Sequence, residues 1–412
     1  MSLIVQKYGG TSVANADRLR NVARRVCRTK AMGHDVVVVA SAAAGTTDKL
    51  IAMAHEISND PHGREYDMLV STGEQISVAL LAMAIQELGC PSVSMTGFQV
   101  GILTDSAHTK ARIIDISTEK VLEELHKGQI VVIAGFQGVD ITGNITTLGR
   151  GGSDTSAVAV AAALKAHRCE IYTDVDGVYT ADPRIVPSAR KLNTIRADEM
   201  LELAGLGAKV LQLRSVEFAS KYNVPLEVLT SFSDEPGTLI VQETQNMEEI
   251  VVTGVALVKN QARVNIFNVP DRPGVAARIF GAIAKKNVDV DMIVQAKNRE
   301  GEPDMSFTVS KLELKKTEQA VNEAIKGLGS SGMTIEEGFA KVSAVGIGMR
   351  GHPGVAAQMF EALAANKINI EMISTSEIKI SCLVKEDQGE QAVRAVHESF
   401  QLGEPSGAAT SA

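Results

Sequence analysis

Over its first 240 residues the chain repeats one order. A short apolar run meets a turn of small residues, and a longer stretch with apolar residues at helical spacing follows. Residues 3–6, 35–40 (DVVVVA), 91–95, 130–134 (IVVIA) and 170–175 read as strands. The all-apolar ones among them suit a parallel sheet buried on both faces. Helices are predicted over about 15–32, over 71–88, and from the glycine-rich turn at 148–154 to about residue 167. With a last strand at 237–241, this alternation predicts one three-layer α/β/α domain.

Past a polar run at 242–249 the pattern duplicates itself. PGVAARIF at 273–280 returns as PGVAAQMF at 353–360, 80 positions on (273 to 353). Each copy follows a strand (264–269; 342–348) and continues through an Ala-rich helix into another (288–294; 368–374). A third strand and a second helix come after. This is the β-α-β-β-α-β ferredoxin-like unit, made twice. The first copy has a closing strand at 333–336, whereas the second ends after its helix (387–401) in a tail without strand pattern. Residues 250–258 (IVVTGVALV) are then the missing strand, which predicts that the first repeat is inserted within the second. The expected division is 1–245, 262–338 for the first repeat, 250–261 plus 339–403 for the second, and a flexible tail 404–412.

Composition narrows this picture without changing it. A chain of 412 residues, 45% hydrophobic and 22% charged, is long enough for two or three ordinary globular domains. Without Trp and with 4% aromatics, the cores must be aliphatic, which suits α/β layers better than a β-sandwich. A net charge of −8 argues against a general nucleic-acid binder. Cys27, Cys90, Cys169 and Cys382 are scattered, without the spacing of a zinc site, as free thiols in a reducing cytoplasm would be. No signal peptide is legible at the N-terminus, and the longest apolar runs are too short to span a membrane. The expected location is the cytoplasm.

Candidate chemistry concentrates at strand ends. Gly149, Gly151 and Gly152 let backbone approach a ligand, a helix start favours negative charge, and Arg150 offers a planar donor fork for a carboxylate or phosphate. Asp154 beside them fits that setting only if it orients an amine, a lysine or a metal. Asp174 ends a strand, followed by Asp176, Tyr179, Asp182 and Arg184. Lys7 precedes Gly9-Gly10-Thr11 and reads either as an ammonium beside bound phosphates or as a solvated lysine before a turn. Ser41 and Thr47 are ligand hydroxyls or helix caps. Glu74 complements its helix dipole and is also placed to bind a substrate ammonium. Lys209 is a second basic candidate. The Walker A, Rossmann and protein-kinase spacings do not occur.

KYGGTS at 7–12, STGE at 71–74, LGRGGSDT at 148–155 and YTDVDGVY at 172–179 together resemble the aspartate kinases of the amino acid kinase superfamily. The tandem repeat resembles their paired regulatory ACT modules, and the likeness covers all but about the last ten residues. One departure is Ala42-Ala43-Ala44 where many relatives carry a methionine; it should alter packing more than chemistry. The resemblance implies transfer of the ATP γ-phosphoryl to the β-carboxylate of L-aspartate, opening lysine, threonine and methionine synthesis. It implies Lys7, Gly9, Gly10 and Thr11 at the phosphates, and Thr173, Asp174, Tyr179, Asp182, Arg184 and Lys209 around the nucleotide. Arg150 would grip a substrate carboxylate, and Glu74 and Asp154 its ammonium, with Ser41, Thr47, Gly151, Gly152 and Ser153 around them. Mg2+ would bridge the phosphates without a dedicated carboxylate cage.

For the repeats, assembly alone competes with effector binding. The resemblance implies lysine, threonine or both as inhibitors, at Asp271, Gly274, Val275, Ala276 and Gln295 in the first repeat. Asn369, Ile370, Ser376 and Glu377 in the second complete that site or form another, with Val355, Ala356 and Met359 near. It also implies a homo-oligomer through the ACT modules, or a heterotetramer with a shorter subunit begun at Met247. Another amino acid kinase, acting on glutamate or acetylglutamate, and an amino-acid sensor without turnover stand as alternatives.

Overall fold

The computed structural model describes residues 2–207, 210–242, 251–297, 301 and 303–403, so Met247 and Lys209 lie outside the described residues. The chain divides into two compact units. The first comprises Met1–Val178, Lys191–Gly205 and Lys209–Gln245, the second Tyr179–Arg190, Leu206–Ala208 and Asn246–Ala412.

The first unit is built on an eight-stranded sheet. Leu3–Tyr8 lies at its centre, parallel to Asp35–Ala40 on one side and Arg168–Thr173 on the other. Ile130–Ala134 and Ser92–Met95 extend the sheet beyond Asp35–Ala40, and Leu226–Thr230, Thr238–Val241 and Thr194–Arg196 extend it beyond Arg168–Thr173. Each strand of the central pair is buried after its first residue, because helices cover both faces. Ala16–Ala31 packs on one face with Thr72–Glu87, and Gly152–Ala163 lies against Leu3–Tyr8. Asn15 caps the first of these helices by accepting from the Arg18 N–H, while Gly10–Val13 before it is a 3-10 turn.

Two features of this unit differ from expectation. A four-stranded accessory sheet (Ile113–Ile116, Ile102–Thr104, Gln137–Val139, Ile145–Thr147) stands beside the main one. Arg64–Val70 runs almost unbroken into Thr72–Glu87, which makes a helical stretch long and apolar enough to cross a bilayer by length and composition, half of it buried. Asp67 and Glu74 are buried within that stretch, and their hydrogen bonds tie it to the rest of the unit.

The second unit is a six-stranded antiparallel sheet carrying two helices per repeat. Its two long central strands, Gly254–Phe267 and Gly332–Val345, each serve both repeats. Residues 254–258 pair with 341–345, next to Lys379–Lys385 of the second repeat, whereas 261–267 pair with 332–339. The pairing places the first repeat within the second, and each crossover is a bulge in an unbroken strand instead of a loop. Asn260 (φ 58°) and Gly338 (φ 83°) take the left-handed conformation there. Tyr179–Arg190 packs on the second repeat. Ala181 and Val186 enter its core, Val255 N–H donates to Thr180 O (2.8 Å), and Thr180 Oγ1 meets buried His397 Nε2 at 2.9 Å.

The first repeat's core centres on Phe307, fully buried and edge-on to Phe280 with ring centroids 5.5 Å apart. Phe307→Ala is expected to cost the second unit about 3–5 kcal/mol. Urea unfolding of wild type and variant measures this, and a loss under about 1 kcal/mol would mean that the core collapses onto the cavity.

Candidate active site

Parallel strands end together along one edge of the main sheet, and Lys7 projects there from the central strand. Its register puts it between Val39 and Ile171. The side chain is 10% exposed, and Nζ lies 2.5 Å from Asp154 Oδ1, in the first turn of the Gly152–Ala163 helix. A buried ammonium held against one carboxylate retains donors for a further anion. The lysine is therefore not the solvated one that a turn position allowed.

The chain after Lys7 is tightly set. Gly9 N–H donates to Tyr172 O (3.1 Å), and Gly10 O accepts from Ala44 N–H (3.1 Å). A Cβ on Gly10 would stand 2.7 Å from Ala42 O, so that position tolerates only glycine. Ser41 is half-buried as the Asp35–Ala40 strand ends, and its N–H donates to Tyr8 O (3.1 Å). Thr47 lies in the first turn of Thr46–Ile57, whose N-cap is Gly45 without a side-chain bond, which removes the capping explanation for Thr47.

Glu74 reaches the same loop. Gly73, whose added Cβ would meet Ala42 Cβ at 2.9 Å, lets the helix approach, and Glu74 Oε1 accepts from Ala42 N–H (3.1 Å). The side chain is 3% exposed, and Oε2 is buried with no hydrogen-bond partner. Burial pushes its carboxyl up from 4.5 to about 7, against the Ala42 hydrogen bond. A buried acceptor lacking a donor is suited to an incoming cationic group.

The glycine-rich loop lies beside this cluster. Gly149 (φ 80°) and Gly151 (φ 71°) are left-handed, and Gly151 is the N-cap of the following helix. Gly135 leaves room for Ser153, whose Oγ would lie 2.9 Å from a Cβ there. Arg150 is exposed, its guanidinium open to a ligand. Asp174, also exposed, accepts from Thr173 Oγ1 (3.0 Å). Thr11 is exposed on the 3-10 turn.

Three nucleotide candidates, Tyr179, Asp182 and Arg184, belong to the second unit. Arg184 pairs there with Asp182 (Nη2–Oδ2 2.7 Å). In the repeats, Gly274 (φ 92°) and Gly354 (φ 103°) N-cap equivalent helices without a side-chain bond. Val275 and Val355 open these helices with their side chains in the module cores, and Met359, one turn into the second helix, is 0% exposed. Asp271, Ala276, Gln295, Asn369, Ser376 and Glu377 are exposed, and Ile370 and Ala356 half-buried. Asp271 pairs with Lys297 (3.2 Å) and Glu377 with Arg350 (2.6 Å). Among the described residues no group of three or more His, Cys, Asp or Glu side chains is arranged to hold a metal ion.

Sequence reasoning missed Asp67 and Arg214. Asp67 is fully buried and accepts from Thr147 Oγ1 at 2.6 Å, and Arg214 donates to Leu148 O at 2.8 Å. A carboxylate inside an apolar helical run was the available signal for the first.

A mostly parallel sheet that ends on a buried lysine, a glycine-rich turn and a buried carboxyl with an unpartnered oxygen suits a phosphotransferase that takes an amino acid. The amino acid kinase family profile matches residues 2–230, and that of the ACT domain residues 267–325 and 342–400. An aspartate kinase of Pseudomonas fluorescens is 54% identical over 408 residues, 98% of this chain and 99% of the relative. The crystal structure of Escherichia coli aspartokinase III with aspartate and ADP (R-state) superposes with a TM-score of 0.82 at 28% identity, over 96% of this chain and 99% of that one. The same enzyme with lysine and aspartate (T-state) gives 0.76, also at 28% identity, over 97% and 100%. The chain belongs to the aspartate kinases of the amino acid kinase family.

Glu74 yields a stability test. Its raised pKa means that the neutral form is favoured in the fold. The stabilisation is complete below pH 4.5 and lost as pH rises through about 7. Above pH 7 the buried carboxylate costs the fold on the order of 3 kcal/mol relative to its neutral form. Glu74→Gln is therefore expected to raise the denaturation midpoint above wild type at pH 8.5 and to change it little at pH 5. An equal difference at both pH values would contradict the buried charge.

Proposed function

We propose that this aspartate kinase transfers the ATP γ-phosphoryl to the β-carboxylate of L-aspartate, giving 4-phospho-L-aspartate, with the residues around Lys7 as its machinery. The observation that carries the residue assignment is the Lys7–Asp154 pair at the end of the central strand, with the unpartnered Glu74 Oε2 and the glycine-rich loop along the same sheet edge. The acceptor carboxylate is already ionised at neutral pH, so the chain has to align it and offset charge instead of removing a proton. Lys7 donates to the transferring phosphoryl, with Gly9, Gly10 and Thr11 presenting backbone donors. Arg150 grips a substrate carboxylate. Glu74 and Asp154 hold the ammonium, with Ser41, Thr47, Gly151, Gly152 and Ser153 around it. Asp154, which lies against Lys7, also orients it, and Thr173, Asp174, Tyr179, Asp182, Arg184 and Lys209 serve the nucleotide. Mg2+, when bound with the nucleotide, would supply charge neutralisation at the phosphates.

The reaction opens lysine, threonine and methionine synthesis in the cytoplasm, and lysine, threonine or both inhibit it through the ACT modules. The E. coli enzyme solved with lysine supports that reading. Asp271, Gly274, Val275, Ala276 and Gln295, with Asn369, Ile370, Ser376 and Glu377, form the effector sites, with Val355, Ala356 and Met359 near. The chain assembles as a homo-oligomer through these modules; a shorter subunit begun at Met247 would make it a heterotetramer. We divide it at 1–245, 262–338, and 250–261 plus 339–403, with 404–412 as a tail.

Trapping the acyl phosphate with hydroxylamine tests the assignment. Lys7→Ala is expected to lower kcat at least about 100-fold, because losing one well-placed donor costs about 3–4 kcal/mol. Turnover retained in a folded variant would remove Lys7 from the mechanism. Turnover of wild type on aspartate should fall when lysine, threonine or both are added. Preference for glutamate or acetylglutamate would instead indicate another amino acid kinase, and absent turnover in a folded, ATP-binding protein a sensor.

A further inference from the structure

We propose that Asp67 is a positioning residue for the glycine-rich loop, with Arg214 as its counterpart on the loop's other flank. The proposal rests on the reading that residues 150–154 hold the amino-acid substrate.

Three of the four residues 149–152 are glycine, two of them left-handed, so the loop has little stiffness of its own. Phosphoryl transfer needs the groups it carries held to a fraction of an ångström. The stiffness has to come from what grips the loop. Asp67, 0% exposed in the first turn of Arg64–Val70, grips the residue just before it. Its Oδ1 accepts from Thr147 Oγ1 at 2.6 Å, and its Oδ2 from Thr147 N–H at 3.0 Å. The same carboxylate takes Thr109 N–H (3.1 and 3.0 Å) and His108 Nδ1 (2.9 Å). That second strip of backbone lies against the loop as well. A Cβ on Gly149 would come within 3.0 Å of Thr109 O, and Ala111 N–H donates to Thr147 O (2.9 Å).

Arg214 closes the other side. Its Nη1 donates to Leu148 O (2.8 Å) and its Nη2 to Ala111 O (3.2 Å), so one planar fork spans the loop and the strip that Asp67 holds. Gln212 stands 2.7 Å from where a Gly151 Cβ would be. A carboxylate buried in an apolar helical stretch is costly unless fully satisfied. Here every bond that satisfies it leads to residues 108–109 or 147. No bond leads to a neighbour that would need the charge for packing alone.

The test is steady-state kinetics on the full-length enzyme, varying aspartate at saturating ATP and then the reverse, beside thermal denaturation. Asp67→Asn, which keeps the shape but halves the acceptor capacity, is expected to lower kcat/KM for aspartate about 10- to 100-fold. The KM for ATP should stay within about twofold, since the loop is not the nucleotide's. Arg214→Lys, whose single ammonium cannot span both carbonyls, and Thr147→Val, which deletes the 2.6 Å bond, should move it the same way by less. A lowered Tm with wild-type kinetic constants in all three would make the brace merely structural and overturn the proposal. If Asp67→Asn does not fold, the other two decide: unchanged aspartate constants in both overturn the proposal, and raised KM in either supports it. Arg150→Ala separates the premise from the proposal. Unchanged aspartate KM there would remove the loop's substrate role, while a raised KM beside unaltered Asp67 and Arg214 variants would leave the loop and remove the brace.

Discussion

An ammonium and a carboxylate 2.5 Å apart, both largely out of water, sit where the central strand of a parallel sheet meets the first turn of a helix. Neither charge is tolerable there alone, since removing one partner of a buried pair leaves an uncompensated ion. The rest of the catalytic unit is arranged to supply both. Leu3–Tyr8 must be the central strand so that Lys7 emerges between neighbours on either side. Gly151 must turn left-handed so that the helix carrying Asp154 starts under it. Gly10 must lack a Cβ so that the 41–44 loop can close against the residues beyond Lys7.

The same unit keeps two more carboxylates inside one helical stretch, in opposite conditions. Asp67 is saturated with donors and fixes backbone; Glu74 has one donor and an oxygen with no partner. The first arrangement stabilises a conformation, whereas the second costs stability above neutral pH and leaves a place for a cation. Active sites commonly retain strain of this kind. The two acids stand on consecutive helices, Arg64–Val70 and Thr72–Glu87.

Much of the fold was legible because it follows from period and repetition. Continuous β-branched runs announced the parallel sheet, and the missing strand of the second copy pointed to the pairing of 254–258 with 341–345. The unbroken central strands were not legible: Lys259-Asn260 and Glu337-Gly338 look like turns, and only the pairing of the residues on either side of them makes them bulges. The accessory sheet was hidden by strands of three or four residues, too short to show a period. For the candidate site, motifs pointed to Lys7, Arg150, Asp154 and Glu74. That Lys7 meets Asp154 across 147 positions, or that Asp67 faces inward, depends on tertiary packing that no local spacing encodes.

The most direct test of the Lys7–Asp154 pair as one catalytic unit is a double-mutant cycle in single-turnover phosphoryl transfer, with Lys7→Ala, Asp154→Asn and the double variant compared with wild type. Residues that act together lose the function once. The double variant is predicted to be little slower than the slower single one. Losses that simply add would show two independent residues and contradict the pairing on which the site has been built.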